Sequence, residues 1–417
     1  MKTKNPTSSE SPEPSDLSPE SVAYLKRRPK SERSPLGQFL TPRSLREELV
    51  GQVPLAPGMR VLDPGVGTGE FLKTCLEHCS SISTTGWDVD PAALEVAKDL
   101  VPSAQLHQRS ALEKWDGEPF DVVIGNPPYF EMRDLDPDTR SEFKNVISGR
   151  PNIFSLFFEA GFRVLKDGGY LAYVVPPSMN NGAYFDRLRG FILKNFSIEF
   201  FRVFDNPFLF EDAQTAVQLI VLKKGSSSNR YWLDLGDASG SPKKRKVFVE
   251  NKEEFLEHFN GKPTLYRLGY QAVTGSVVWN TRKQDLRRHR EDGSIPLIWA
   301  HNIGEGREIS LQDNHPKRPQ YLSHSRPQLG PAIVVNRITG SVGSGSLRCA
   351  VVPEGMEYVA ENHVNVIVPR QDADQLATWD EVLDALRSPN INERVRLLTG
   401  NTQISATELT HWIPLDV

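Results

Sequence analysis

Between Leu36 and about Lys224, short apolar runs alternate with longer amphipathic ones. A chain patterned in this way builds a mostly parallel sheet, because each parallel strand needs a crossover helix that covers a sheet face. The strand candidates are Arg60 to Leu62, Ser83 to Trp87, Asp121 to Ile124, Tyr170 to Val175, Glu199 to Phe204 and Ala216 to Leu222. The clearest helix runs from Asn152 to Leu165, with Ile153, Leu156, Phe157, Ala160 and Val164 on one face. Asn152 suits its N-cap, and Lys-Asp-Gly-Gly at 166 to 169 reads as its stop.

The alternation ends at Gly225-Ser-Ser-Ser-Asn229. Beyond it come short β-like runs, basic clusters and Pro/Gly punctuation, which predict a second domain over 226–417. Residues 1–35 read as a disordered tail, rich in Ser, Pro, Glu and Lys. With 417 residues, 38% of them hydrophobic, the chain can fill two cores. The net charge of −4 excludes a globally basic surface, so a nucleic-acid partner has to be held by local patches. Three cysteines exclude a disulfide scaffold and point to a reducing compartment. Cys75 and Cys79 flank His78 in a helix-like run without further ligands nearby, so no metal is expected there. No apolar run resembles a signal peptide or a membrane span, and a soluble, cytoplasmic protein is expected.

Arg60-Val-Leu-Asp-Pro-Gly-Val-Gly-Thr-Gly-Glu-Phe-Leu72 reads as a strand, a glycine-rich turn and the start of a helix. Gly65, Gly67 and Gly69 allow a tight turn and close approach to a ligand. Asp63 and Pro64 stand at the strand end, where open α/β sheets bind their ligands. A second acid, Asp88, follows at the end of the next strand candidate and suits the two hydroxyls of a ribose. Asp90 is its neighbour and alternatively caps the helix that starts at Pro91. No Lys-Ser/Thr follows the glycines, so the loop is not a P-loop. The Gly-x-Gly-x-Gly spacing departs from that of a dinucleotide site and favours the methionine-bearing nucleoside S-adenosyl-L-methionine.

The most specific signal is Asp121-Val-Val-Ile-Gly-Asn-Pro-Pro-Tyr-Phe130. A hydrophobic strand runs into Asn126-Pro127-Pro128-Tyr129, where two prolines fix the turn and remove two donors. The Asn126 side-chain oxygen and the Pro127 carbonyl are then acceptors that can hold both hydrogens of an aromatic amine and free its lone pair. Tyr129 offers a face for a planar base.

These residues resemble those of the gamma group of amino-methyltransferases, the adenine-specific DNA methylases of restriction–modification systems. The resemblance covers residues 36 to 417 and is strongest over 36 to 224. It implies a Rossmann-like, seven-stranded α/β methyltransferase domain followed by an α+β target-recognition domain that binds double-stranded DNA. Methyl transfer from S-adenosyl-L-methionine to N6 of a flipped-out adenine is implied. Leu36-Gly-Gln-Phe-Leu-Thr-Pro42 matches the family's element before the glycine loop, which assigns Thr41 to the methionine part of the cofactor. Asp63 to Phe71 match its glycine loop, Asp88 its ribose acid and Asn126 to Tyr129 its catalytic turn. Phe210 matches the aromatic residue that stacks on the extrahelical base, with Phe208 as the alternative. Where the family has an acid for the cofactor's adenine amino group, this chain has Ser110.

Two basic runs suit DNA phosphates: Lys243-Lys244-Arg245-Lys246, and Arg282, Lys283, Arg287, Arg288 and Arg290. Trp279, Trp299, His301 and Asn302 either enter a DNA groove or fill the core. No nuclease-like metal constellation stands out, so a restriction endonuclease partner is expected to be a separate chain. The rival readings are a methyltransferase acting on RNA or on a glutamine amide, and a non-catalytic recognition subunit.

Overall fold

The computed structural model describes residues 16–33, 37–204, 216–259, 261–304, 306–312, 315, 317–337, 346–399 and 404–417. The chain forms two units, Met1–Trp232 with Phe248–Glu250, and Leu233–Val247 with Asn251–Val417. The boundary thus falls near Leu233, later than the Gly225 turn that sequence composition marks, and the first unit recovers a short return segment.

In the first unit the elements are α1 (Pro19–Arg27), α2 (Lys30–Arg33), α3 (Arg43–Gly51), β1 (Arg60–Asp63), α4 (Glu70–His78), β2 (Ser83–Asp88), α5 (Pro91–Leu100), β3 (Gln105–Gln108), β4 (Phe120–Gly125), α6 (Pro137–Glu142), α7 (Ile153–Val164), β5 (Leu165–Val175), α8 (Asp186–Asn195), β6 (Phe196–Phe204) and β7 (Val217–Lys224). The seven strands lie in the order β3-β2-β1-β4-β5-β7-β6, and β7 runs antiparallel to both of its neighbours. β1 is followed in sequence by β2 on one side, while β4 lies on its other side. The strand order therefore reverses at β1/β4, and a crevice opens there at the carboxyl ends of the strands.

The alternation of side chains along the strands feeds two apolar layers. Leu171, Tyr173 and Val175 of β5 pack with Phe154, Phe157 and Phe158 of α7 on one face. Ala172 and Val174 pack with Leu45, Leu49 and Leu72 of α3 and α4 on the other. β7 divides in the same way, with Ile220 and Leu222 toward the first layer and Leu219 and Val221 toward the second. Every one of these side chains is nearly or fully buried, and each Val, Leu, Ile or Phe among them contributes about 1.5–3 kcal/mol by leaving water. The helix expected over 152–165 is α7, with Asn152 accepting from the Phe154 amide. The stop at 166 to 169 is not a loop, because β5 begins at Leu165 and passes through it.

The tail reading fails for residues 16–33. α1 packs on the unit with Ser21 and Tyr24 buried, and Ser21 Oγ donates to Thr68 Oγ1 at 2.8 Å. Residues 1–15 lie outside the described residues.

The second unit is α+β. Tyr270–Thr274, Val364–Pro369, Ala332–Asn336 and Cys349–Val352 form an antiparallel four-stranded sheet in that order. A second sheet of short strands includes Ile295–Ile298 and Glu357–Ala360. Capping boxes at Thr378/Glu381 and Ser405/Glu408 start two of its helices. Among the described residues, no helix is long and apolar enough to cross a membrane.

Candidate active site

The crevice at β1/β4 opens into a pocket lined by the glycine loop, the ends of β2 and β3, the Asn126 turn and the N-terminal elements. Asp63 ends β1 and is buried, with Oδ1 accepting from the Gly65 amide at 3.1 Å. Burial pushes its carboxyl up to about 8; Gly65 opposes the shift and the nearby Asp88 adds to it. Gly125 explains how this acid fits between two strands: a Cβ there would sit 2.5 Å from Asp63 Oδ1. Pro64, Gly65 and Gly67 line the pocket, and Gly67 adopts φ +50°. Gly69 is not in the lining. It begins α4 at φ +93°, and a Cβ there would meet Val101 at 2.9 Å, so its task is helix packing.

Asp88 stands at the end of β2. It accepts from the Gly67 amide at 2.8 Å and from the Asp90 amide at 2.9 Å. Each carboxylate oxygen keeps a lone pair for a further donor. Val89 beside it is 55% exposed and lines the pocket, an apolar surface for a flat ring. Ser110 follows β3 and also lines the pocket, with Oγ accepting from the Leu112 amide at 3.2 Å.

The turn Asn126 to Tyr129 leaves the end of β4 on the same pocket. Asn126 Nδ2 donates to the Phe39 carbonyl at 3.1 Å, which fixes the orientation of the amide and leaves Oδ1 as its acceptor end. The Tyr129 hydroxyl sits between two acceptors, Asn126 Oδ1 and the Val174 carbonyl oxygen, the latter at 2.8 Å. Burial holds that phenol well above its ordinary range, so it stays a donor. Its ring meets Phe154 edge-on at 6.3 Å. Asn126 and Pro128 line the pocket, and the side chains of Pro127 and Tyr129 are not among its lining. Phe208 and Phe210 lie outside the described residues.

Sequence reasoning placed Thr41 on this pocket but missed the contacts that hold residues 37–42 there. Gly37, at φ +64°, lies against the Asn126 turn, where a Cβ would be 2.8 Å from Pro128 and 2.9 Å from the Tyr129 amide. Thr41 is buried on the pocket wall, and its carbonyl accepts from Arg46 Nη1. Arg46 pairs with Glu70 at 2.8 Å, both buried, and this pair fastens the Thr41 segment to α4. Asp90 does cap α5, accepting from the Ala92 amide at 3.0 Å. Its other oxygen gathers the Tyr24 hydroxyl at 2.9 Å, Gln38 Nε2 at 3.1 Å and Arg28. Tyr24 and Gln38 both line the pocket. The only sequence signals were an Arg on the otherwise apolar face of α3 and a Tyr inside a polar tail.

Residues 83–210 match the sequence model of the Eco57I restriction-modification methylase family. Modification methylase CviBIII of Paramecium bursaria Chlorella virus NC1A is 28% identical over 395 residues, 93% of this chain and 95% of that protein. The chain is a methyltransferase of restriction–modification type. Type II methyltransferase M.TthHB8I of Thermus thermophilus is 28% identical over 303 residues, 67% of this chain and 68% of its own. Among solved structures, the type IIG restriction endonuclease BpuSI is 13% identical with a TM-score of 0.47, covering 95% of this chain and 60% of that one.

The methyl donor of this methyltransferase is S-adenosyl-L-methionine. The pocket suits it on chemical grounds. Asp88 is placed for the ribose hydroxyls, Val89 and Ala111 offer apolar surface for the adenine ring, and the acid Asp63 and the hydroxyl of Thr41 are available to the charged methionine end.

The basic runs of the second unit are neutralised in part, at four of their nine cations. Arg245 is buried against Glu408 at 2.9 Å and lies 4.1 Å from the Trp412 ring centroid, so it is a core ion pair and not a free phosphate ligand. Lys244 pairs with Asp237, Arg282 with Asp285 and Arg287 with Glu291. Lys243, Lys246, Lys283, Arg288 and Arg290 are exposed. Trp299 and Asn302 are buried, Trp279 is 36% exposed, and His301 is half-buried.

Proposed function

We propose that this methyltransferase methylates the exocyclic N6 amino group of adenine at a specific site in double-stranded DNA. The observation that carries the reading is Asn126, held by the Phe39 carbonyl on the wall of the cofactor pocket. The lone pair of an aromatic amine is delocalised into its ring. Asn126 Oδ1 and the Pro127 carbonyl accept its two hydrogens and favour a tetrahedral nitrogen with a free lone pair. When bound, the cofactor supplies an electrophilic methyl on its sulfonium. The freed lone pair would be available to that methyl, with an N–C bond made as the S–C bond is lost, while Asn126 Oδ1 and the Pro127 carbonyl would hold the nitrogen's hydrogens until the surplus proton leaves to solvent.

No cysteine is among the pocket-lining residues; Cys75 and Cys349 are buried elsewhere, and burial pushes the Cys75 thiol above its usual range. Methylation of a ring carbon, which needs a thiolate nucleophile, has no residue to perform it there. The restriction–modification kinship supports DNA as the substrate over RNA or a glutamine amide.

The test is to incubate plasmid DNA with the protein and S-adenosyl-L-methionine, digest it to nucleosides and measure masses. N6-methyladenine is expected, and N4-methylcytosine in its place refutes the adenine assignment. Asn126→Ala is expected to abolish transfer while calorimetry finds cofactor affinity retained. A variant with normal turnover removes Asn126 from the chemistry.

A further inference from the structure

The second unit holds a cluster that the two basic runs overshadow in the sequence. His301 and His315 face each other with ring centroids 4.5 Å apart and planes at 32°. Arg318 lies over Trp299 at 4.8 Å, and Arg348 Nη2 reaches the Ala300 carbonyl at 3.5 Å. Among the described residues, neither arginine forms an ion pair with a carboxylate. His315, Arg318 and Arg348 all act on His301 to favour its neutral form. This sets the cluster apart from Arg245, Arg282 and Arg287, each of which has its own acid.

A buried amide network beneath the cluster decides what the imidazoles present. Gln320 Oε1 accepts from Asn302 Nδ2 at 2.7 Å and from the Gln312 amide at 3.3 Å. Its orientation is thereby fixed, and Gln320 Nε2 donates to the Arg318 carbonyl and to His301 Nε2, both at 3.1 Å. Asn302 is fixed in turn, with Oδ1 accepting from the Trp299 amide at 2.8 Å. Both amides are fully buried. His301, with its pKa pulled down to about 4 chiefly by burial, is neutral at pH 7. Since its Nε2 accepts, its proton resides on Nδ1. His315 Nδ1 accepts from the Lys317 and Arg318 amides at 3.3 and 3.1 Å, so its outward nitrogen, Nε2, is also a donor. Two imidazole N–H groups and two guanidinium groups therefore stand together, and among the described residues no carboxylate pairs with either guanidinium.

We propose that His301, His315, Arg318 and Arg348 form the phosphodiester seat of the second unit for duplex DNA. The inference rests on DNA being the substrate. A cluster made only of donors complements the acceptor-only oxygens of a phosphate backbone, and guanidinium groups match their geometry. In a chain of net charge −4 such a site is where backbone attraction has to be concentrated. Four of the nine cations in the sequence-evident basic runs already have acids, whereas among the described residues neither Arg318 nor Arg348 does.

The experiment uses the full chain and a fluorescein-labelled duplex that contains a methylated site mapped on plasmid DNA. Binding is followed by anisotropy across a series of salt concentrations. Arg318→Ala/Arg348→Ala is expected to weaken binding to all duplex sequences and to flatten the log–log salt dependence by about two units, one for each lost phosphate contact. The charge-conserving Arg318→Lys/Arg348→Lys is expected to keep the slope, and cofactor affinity measured by calorimetry serves as the folding control. An alanine double variant with unchanged affinity and slope, alongside a wild type that binds and methylates duplex DNA, overturns the seat alone. A wild type that binds duplex RNA and no DNA overturns both the seat and the substrate reading.

Discussion

Cofactor affinity is expected to rise steeply with pH below neutrality, and Asp63 is the reason. This carboxyl is 1% exposed, and burial pushes it from its ordinary 3.8 up to about 8. In the unliganded protein at pH 6 it is therefore protonated. S-adenosyl-L-methionine brings a sulfonium and an ammonium into the pocket that Asp63 lines. A cation there favours the carboxylate, so binding is coupled to release of a proton. Each pH unit below 8 adds about 1.4 kcal/mol to that release, which weakens apparent affinity by about tenfold per unit between pH 5.5 and 7.5. The sign for folding is opposite. Between about pH 4 and 8 the native protein binds more protons than the unfolded chain at this site, so the unliganded fold loses stability as pH rises through that window. Isothermal titration in two buffers of different ionisation enthalpy measures both affinity and the protons released. The wild type is expected to release close to one proton at pH 6, and Asp63→Asn is expected to lose the release and most of the pH dependence. A wild-type affinity that is flat from pH 5.5 to 7.5, or an Asp63→Asn variant that keeps the slope, refutes the reasoning.

Glu70→Ala leaves Arg46 buried without its partner, and thermal or urea unfolding is expected to report a loss of about 3–5 kcal/mol. Ser110→Asp places a charged acceptor on the pocket wall and is expected to tighten cofactor binding by about 1–2 kcal/mol in calorimetry; unchanged binding removes Ser110 from the adenine contact. Phe210→Ala is expected to weaken retention of the extrahelical base by about 1–3 kcal/mol, read from the fluorescence of 2-aminopurine at the target position. If Phe208→Ala changes that signal and Phe210→Ala does not, the stacking role passes to Phe208.

Much of the first unit was legible because its strands are buried on both faces. β4, β5 and β7 carry continuous apolar residues, and such runs stand out against any background. β3 escaped notice for the converse reason. It is Gln-Leu-His-Gln at the sheet edge, half-exposed and polar, and pairing with β2 alone makes it a strand. α1 escaped because composition averages over position. Ser, Pro, Glu and Lys dominate that stretch, yet Ser21 and Tyr24 stand three residues apart on one helical face and both are buried. The glycine loop and the Asn126 turn were legible because their chemistry is local. Each is a contiguous strand-to-turn segment that needs no distant residue to be recognised.

Residues that act through distant partners leave no such trace. Asp90 reads as a helix cap, which it is, but nothing near it in sequence shows that Tyr24, Arg28 and Gln38 converge on its second oxygen. The basic runs misled for a related reason. A dense run of cations is tolerated where acids lie within reach, and Arg282 has Asp285 and Arg287 has Glu291 three and four positions along the chain. Such a run advertises charge that its own neighbours have already neutralised. Arg318 and Arg348 stand 30 positions apart in sequence, each unremarkable in its own surroundings, and the fold brings both to bear on His301. Cations assembled by the fold, with no acid built in beside them, keep their attraction for a ligand. By that argument a salt-dependence measurement should separate the two groups, with the Arg318/Arg348 substitutions flattening the slope more than Arg287→Ala does. Equal slopes for both would mean that the Glu291 pair opens when DNA arrives, and that pairing in the free protein says little about which arginines meet phosphate.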